Sequence, residues 1–168
     1  MILAIDDWRF EVDITATMEY SAKEAAEHCD CAYCRNFYAA VDSTYPELRP
    51  FLAQFGVDIE APDELLPYDF PQKMQYYGYY AVCGRIHQTG KKPIMVSGTG
   101  IRPDRFSDLH INSGCQEPYF FLNVSGINLP WVLDEPMEDV ISPANEPSFL
   151  KKMWERLLGK NKKNIPYS

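Results

Sequence analysis

The sequence lacks the features that would place it in a membrane or in a secretory pathway. It has no run of about 18 apolar residues, the length of a membrane-spanning helix. Its opening, residues 1–5, has no basic residue and is followed by Asp6 and Asp7, which is unlike a secretory signal. It also has no internal repeat and no low-complexity segment. We therefore expect a cytoplasmic globular protein with no membrane span.

Positive charge is scarce except near the C-terminal end. The chain has 16 Lys and Arg residues against 24 Asp and Glu residues, a formal net charge of -8. Beyond residue 150 the balance reverses, because one acid, Glu155, faces six basic residues: Lys151, Lys152, Arg156, Lys160, Lys162 and Lys163. The acidic remainder would repel phosphate backbones. We expect no nucleic-acid binding by this body, and a protein as the partner if there is one.

Length and composition predict one globular domain. The 168 residues, of which 46% are hydrophobic and 24% charged, are enough to bury a core without disulfide bonds. The runs of strand and helix patterns are separated along the chain, which is typical of the α+β class. We predict a single α+β domain over residues 1–160 and a polar basic tail over residues 161–168.

Strand patterns dominate this predicted domain. Apolar and polar residues alternate strictly over residues 8–18, which predicts a half-buried strand. Four later segments are rich in aromatic and β-branched residues and are bounded by turn residues: 74–86, 93–101, 109–111 and 119–129. Together they predict an antiparallel sheet of about five strands. Residues 58–72 contain three prolines and predict an irregular crossing.

Helical periodicity is limited to two short segments and a C-terminal one, and residues 21–27 are compatible with a short helical turn before the cysteines. Asp30 can cap a helix over about residues 31–41, and a second helix follows Ser43 and Thr44, with Gly56 as its stop. Residues 147–158 predict a C-terminal amphipathic helix. We expect all three helices to cover one face of the sheet.

Three of the five cysteines are clustered. Cys29, Cys31 and Cys34 fall within six residues and directly follow His28. Structural zinc sites take four ligands, usually Cys thiolates and His nitrogens, and often draw several of them from one short segment. His28, Cys83 and Cys115 are the candidates for the fourth ligand, and we predict a zinc site of four cysteines: Cys29, Cys31, Cys34 and Cys83.

The same cysteines have two other interpretations. Cys31 and Cys34 match the Cys-x-x-Cys spacing of thiol redox proteins, in which the first thiolate attacks and the second resolves. Alternatively, Cys34 lies on an apolar stripe with Phe37 and is simply part of the core. The protein would then be a metal-free interaction domain that binds through its tyrosines or its C-terminal helix.

Three segments resemble a known group of proteins. Residues 29–37, 77–84 and 129–134 resemble a group of small uncharacterised bacterial proteins, of Gram-positive or prophage type, with a Cys-Asp-Cys-x-x-Cys-Arg-Asn motif. The group has no established activity, so the resemblance implies no catalytic residue. These observations favour a non-catalytic binding or accessory module with a structural zinc. A redox protein using Cys31 and Cys34 and a metal-free interaction domain are the alternatives.

Overall fold

A computed structural model of the chain describes residues 1–27, 29–70, 73–105 and 113–137. Within them the chain forms seven strands and three helices: β1 (Ile2–Ile5), β2 (Trp8–Val12), α1 (Ile14–Ala26), α2 (Ala32–Thr44), α3 (Leu48–Ala53), β3 (Glu64–Phe70), β4 (Lys73–Gln88), β5 (Ile94–Val96), β6 (Thr99–Asp104) and β7 (Tyr119–Leu129). Met1–Glu135 form one compact unit, and Pro136–Ser168 fall in a second. The predicted strand at 109–111, the helix at 147–158 and the tail at 161–168 lie outside the described residues.

The described strands form one antiparallel sheet around β4. Their order is β1-β2-β4-β7-β6-β5, and β3 also pairs with β4. β2 pairs with residues 84–88 of β4, β3 with residues 73–79, and β7 with residues 74–83. The α+β class and the antiparallel sheet are confirmed. The described part of the chain has seven strands, however, and not about five.

The larger core lies on the face of β4 that carries Tyr76, Tyr80 and Val82. Residues of α2 and α3 complete this core, among them Phe37, Val41, Leu48 and Leu52. Its centre is aromatic, because the ring centroid of Phe10 lies 5.3 Å from that of Phe55 and 5.4 Å from that of Phe120. Aromatic side chains bury large apolar areas, so this cluster holds α2 and α3 against the sheet.

A smaller cluster lies on the opposite face of β4. Alternate residues of a strand point to opposite faces, and Ala81 and Cys83 alternate with the members of the larger core. Ala16 and Tyr20 of α1 pack against this smaller cluster. The two short helices predicted from the sequence, α2 and α3, pack on one face of the sheet, as expected, whereas α1 packs on the opposite face.

Asp13 ends the first predicted strand early. β2 stops at Val12, and α1 begins at Ile14 with Asp13 as its N-cap, whose carboxylate accepts the Ala16 N–H at 3.0 Å. An N-cap carboxylate satisfies a backbone donor of the first turn, so it fixes the start of the helix. The predicted strand over 8–18 is wrong in its second half. The buried residues of α1 are Thr17 and Ser21, so the helix has no apolar stripe to reveal it.

Two further strands went undetected, and one predicted strand is split. β1 pairs with β2 through a tight turn in which Asp6 has φ +50°, a conformation that Asp tolerates. β3 forms inside the predicted crossing, and Pro67 is compatible with a strand that pairs on one side. A turn with positive φ at Ser97 and Gly98 divides residues 93–101 into β5 and β6.

The two predicted short helices are confirmed as α2 and α3, with one change at the start of α2. The N-cap residue is Cys31, and not Asp30. Gly56 follows α3 with φ +81°, which fits the predicted helix stop. None of the helices in the described part of the chain is long and apolar enough to cross a membrane.

We expect Gly84→Ala to lower the free energy of unfolding by about 2–4 kcal/mol, as measured by urea denaturation. Gly84 has φ +148°, and a Cβ there would lie 2.0 Å from the Glu11 carbonyl oxygen of the paired strand. The matched control is Gly114→Ala, since among the described residues its Cβ would meet nothing nearer than Tyr20 Cε2 at 3.6 Å. That control should change stability by less than about 1 kcal/mol, and equal losses in the two variants would contradict the prediction.

Candidate functional site

The three clustered cysteines converge at the start of α2. Their Sγ atoms all lie within 4.8 Å of one another. Cys31 is the N-cap residue, with extended backbone at φ -71° and ψ 157°, and Cys34 lies in the first turn of α2. Cys29 approaches from the segment before the helix. Cys29 and Cys31 are exposed, whereas Cys34 is only 5% exposed and contributes to the larger core.

A buried asparagine fixes the start of α2 to the sheet. Asn36 Nδ2 donates to the Tyr76 hydroxyl and to the Pro130 carbonyl oxygen, both at 3.1 Å. Asn36 Oδ1 accepts the Val132 N–H at 2.8 Å. The side chain is fully buried, and its donors and its acceptor are all used. The first turns of α2 are therefore held in one position relative to β4 and to the segment after β7.

Arg35 ties the loop before α2 to the same segment. Its guanidinium donates to the Asp30 carbonyl oxygen and to the Glu135 carboxylate, and the hydrogen bond to Glu135 raises the pKa of Arg35. The Trp131 indole N–H donates to the Glu135 carbonyl oxygen at 2.7 Å, and the Trp131 ring lies 5.8 Å from that of Tyr33. The loop that carries the first two cysteines is thus positioned by contacts that do not involve sulfur.

The Cys31 and Cys34 thiols of this site differ in pKa. The Cys34 thiol donates a hydrogen bond to the Cys31 sulfur and lowers the pKa of Cys31 to about 5, with further help from the backbone N–H groups of Cys34 and Tyr33. The same hydrogen bond, together with burial, raises the pKa of Cys34. Cys31 is therefore a thiolate at neutral pH, while Cys34 keeps its proton.

The structure brings together three of the four predicted zinc ligands. The fourth, Cys83, lies elsewhere, because its Sγ is 2.8 Å from Cys115 Sγ in the smaller cluster. Cys34 belongs to the larger core on the other face of β4. Neither Cys83 nor Cys115 belongs to the group formed by the three clustered cysteines. His28, the remaining candidate, lies outside the described residues.

The residues that hold the cluster in place are not apparent from the sequence. Asn36 is off the apolar stripe that runs through Cys34 and Phe37, so a solvent-facing position would be expected for it. Its partners Pro130 and Val132 are more than 90 positions away along the chain. No local pattern reveals such contacts. An asparagine inside a helix pattern, where an amide favours caps and turns, is the one available signal.

No protein-family model, no curated protein and no solved structure matches this chain. The resemblance to small bacterial proteins with the Cys-Asp-Cys-x-x-Cys-Arg-Asn motif therefore stays a prediction.

Asn36→Ala should lower the free energy of unfolding by about 3 kcal/mol, because it removes the hydrogen-bond partner of the Pro130 carbonyl oxygen and of the Val132 N–H, and one of the two hydrogen bonds of the buried Tyr76 hydroxyl. Urea denaturation monitored by circular dichroism would measure the loss. Asn128→Ala is the matched control, since the exposed Asn128 amide donates to the nearby Gly126 carbonyl oxygen and to no other group in the described part of the chain. Its cost should stay below about 1 kcal/mol. A stable Asn36→Ala protein would show that the amide is not an anchor.

In metal-free, reduced protein, Cys31 should react with iodoacetamide as a thiol of pKa about 5. Because the folded-state pKa is lowered, the rate should be near its plateau at pH 7 and should fall only as the pH drops through 5. Fragment masses would locate the label on Cys31. Cys34→Ala removes the thiol that donates a hydrogen bond to the Cys31 sulfur, so it should move the midpoint of the pH–rate profile to higher pH. A midpoint between pH 8 and 9 in the unmodified chain would contradict the assignment.

Proposed function

We propose that the protein is a small non-catalytic binding or accessory module whose fold is stabilised by a zinc ion on Cys29, Cys31 and Cys34. The observation that supports this proposal is the convergence of the three Sγ atoms within 4.8 Å of one another. Two of these cysteines are exposed. The burial of apolar surface therefore gives no reason for Cys29 and Cys31 to approach Cys34, whereas a shared ligand does.

The sulfur geometry fits a tetrahedral metal. Zinc lies about 2.3 Å from each thiolate, so sulfurs around one zinc ion stand roughly 3.8 Å apart. The observed limit of 4.8 Å requires each sulfur to move by about 1 Å or less. The cluster also lies at the N-terminal end of α2, a helix of 13 residues, where the helix dipole favours negative charge. Thiolates are the form of cysteine that binds zinc.

Of the three candidates for the fourth zinc ligand, namely His28, Cys83 and Cys115, His28 remains. Cys83 and Cys115 contact each other away from the cluster. His28 directly precedes Cys29 in the chain, and imidazole is a common zinc ligand beside three thiolates. We propose His28 for this position.

This function is structural and not catalytic. A zinc ion with four protein ligands has no open position for a substrate, so its effect is to join the loop before α2 to the first helical turn. Reduced thiols persist in reducing compartments, and we therefore propose a cytoplasmic location. The proposed partner is a protein, because the net charge of -8 disfavours a phosphate backbone.

Protein purified without chelator should carry one zinc ion per chain, as measured by native mass spectrometry and elemental analysis. Removing the ion with a chelator should lower the free energy of unfolding by about 3 kcal/mol, when the free zinc of the reference state exceeds the Kd about a hundredfold. Cys29→Ser, Cys31→Ser and Cys34→Ser should each lose most of the bound zinc. His28→Ala should bind it more weakly.

Cys115→Ser is the matched control for these zinc measurements. It removes a cysteine that belongs to the smaller cluster, so the zinc content should not change. If all three serine variants at the cluster keep both the metal content and the stability of the unmodified chain, the zinc proposal is wrong. Such a result, with every thiol reduced, would favour the metal-free interaction domain.

A thiol redox protein is the second candidate, and one feature of the site favours it. Cys31 is exposed at the start of α2, while Cys34 is buried one turn later. In this function the Cys31 thiolate attacks a substrate disulfide and releases one thiol. Cys34 then loses its proton, attacks the mixed disulfide and releases the second thiol, so that one disulfide is reduced as Cys31–Cys34 forms. Cys29 has no role in this reaction.

Cys29→Ser separates the two functions. A redox protein should keep reversible Cys31–Cys34 disulfide formation in this variant, as shown by an intact mass short of two hydrogens and by fragment mapping. A zinc protein should instead lose its metal. The two candidates thus predict different changes in this variant: loss of bound zinc for the zinc protein, and unchanged disulfide formation for the redox protein.

A further inference from the structure

A second pair of cysteines lies close together on the other face of β4. Cys83 Sγ and Cys115 Sγ are 2.8 Å apart, and the two residues are 9% and 7% exposed. A disulfide bond requires a sulfur–sulfur distance of about 2.05 Å, so a small side-chain adjustment would bring the two thiols to bonding distance. They are 32 positions apart in the sequence, and their proximity is therefore a product of the fold.

The backbone of Cys83 is held on both sides. Its N–H donates to Thr17 Oγ1 at 3.1 Å, and its carbonyl oxygen accepts the Asp13 N–H at 2.9 Å. The next residue, Gly84, donates its N–H to the Pro118 carbonyl oxygen at 2.8 Å. Cys83 is therefore fixed by the start of α1, and the strand that carries it is joined to the segment containing Cys115.

A chain of hydrogen bonds holds Cys115 beside β4. The Cys115 N–H donates to Ser113 Oγ at 3.1 Å, and Ser113 Oγ donates to the Tyr20 hydroxyl at 2.9 Å. Tyr20 in turn donates to Asp63 Oδ1 at 2.5 Å. The other oxygen of Asp63 accepts the Ala81 N–H at 2.7 Å, two residues before Cys83 in the same strand. Both cysteines are thus anchored to the same part of β4.

Solvent reaches one member of the pair through a surface cavity. This cavity has a volume of about 670 Å³, and its lining includes Cys83, Gly84 and the residues that follow Cys115, namely Gln116, Glu117 and Pro118. Cys83 lines this cavity and Cys115 does not, so a small reagent can approach Cys83 first.

We propose that Cys83 and Cys115 are a thiol–disulfide site, which a small-molecule disulfide such as glutathione disulfide oxidises to an intramolecular bond. The bond ties β4 covalently to the segment that leads into β7. This site is independent of the zinc proposal, because it uses neither the cysteines of the cluster nor the same face of the sheet.

The reaction consists of two exchange steps. The Cys83 thiolate attacks one sulfur of the small disulfide, whose S–S bond breaks. A mixed disulfide forms on Cys83, and the first small thiolate leaves and takes up a proton. Cys115 then gives its proton to solvent and attacks Cys83 Sγ, which releases the second small thiolate. Two protein thiols are oxidised, and one small disulfide is reduced to two thiols.

The test uses Cys29→Ser/Cys31→Ser/Cys34→Ser, in which Cys83 and Cys115 are the only cysteines. This variant is equilibrated with mixtures of glutathione and glutathione disulfide, in buffer and in concentrated urea, and is then quenched with acid and alkylated. Mass spectrometry measures the fraction of protein that carries the intramolecular disulfide. We expect the equilibrium constant for disulfide formation to be at least about tenfold larger in the folded protein, because the fold holds the thiols together. The oxidised form should melt at least about 5 °C higher than the reduced form.

Adding Cys115→Ser to this variant gives the matched control, which should show neither the intramolecular bond nor the higher melting temperature. An equilibrium constant in buffer no larger than that in urea would overturn the proposal. If the triple variant does not fold, the test is fragment mapping of the disulfide bonds in the oxidised, unmodified chain. A Cys83–Cys115 link supports the site, and linkage of either residue to Cys29, Cys31 or Cys34 overturns it. The result does not depend on whether zinc binds.

Discussion

The pleat of β4 determines where the chemistry of this protein lies. Tyr80 and Val82 point into the larger core, while Ala81 and Cys83 point to the opposite face. Because the side chains of a strand alternate with a period of two, a slip of one residue would exchange these two sets. The close approach of the Glu11 carbonyl oxygen to Gly84, which only a missing side chain permits, fixes the pairing of β4 with β2. The register at one glycine thus decides on which side Cys83 lies.

The parts of the fold that were predictable from the sequence are those with a local pattern. β7 is found at its predicted bounds, since its 11 strand-forming residues are bounded by Pro118 and Pro130. Of α1, only a short turn over residues 21–27 was expected from the sequence, because the buried positions of the helix, Thr17 and Ser21, are polar. Its start depends on Asp13, whose role as a cap is not visible within an alternating pattern. Local signals therefore identified the long strands β4 and β7, but not the helix whose inner side bonds to backbone.

The same distinction holds for the site. The approach of Cys31 and Cys34 follows from spacing, because residues three apart at a helix start lie on one side of the helix, and Cys29 joins them from the segment before the helix. The position of Cys83 could not be obtained in this way. It depends on which face of β4 receives α2, and this depends on long-range contacts such as those of Asn36 with Tyr76 and Pro130. Local spacing predicted that three cysteines meet, and the face of a distant strand separates Cys83 from them.

The two cysteine groups differ in exposure, and their chemistry should differ accordingly. At the cluster, Cys31 is exposed and its pKa is lowered to about 5, so the site offers a thiolate to a metal or to a disulfide without prior unfolding. At the buried pair, burial raises the pKa of Cys115, so exchange is slow at neutral pH. Slow exchange suits a disulfide that stabilises a fold, but it does not suit a disulfide that is formed and reduced in every catalytic cycle. The binding or exchange that we propose therefore belongs to the cluster, and the covalent tie that we propose belongs to the pair.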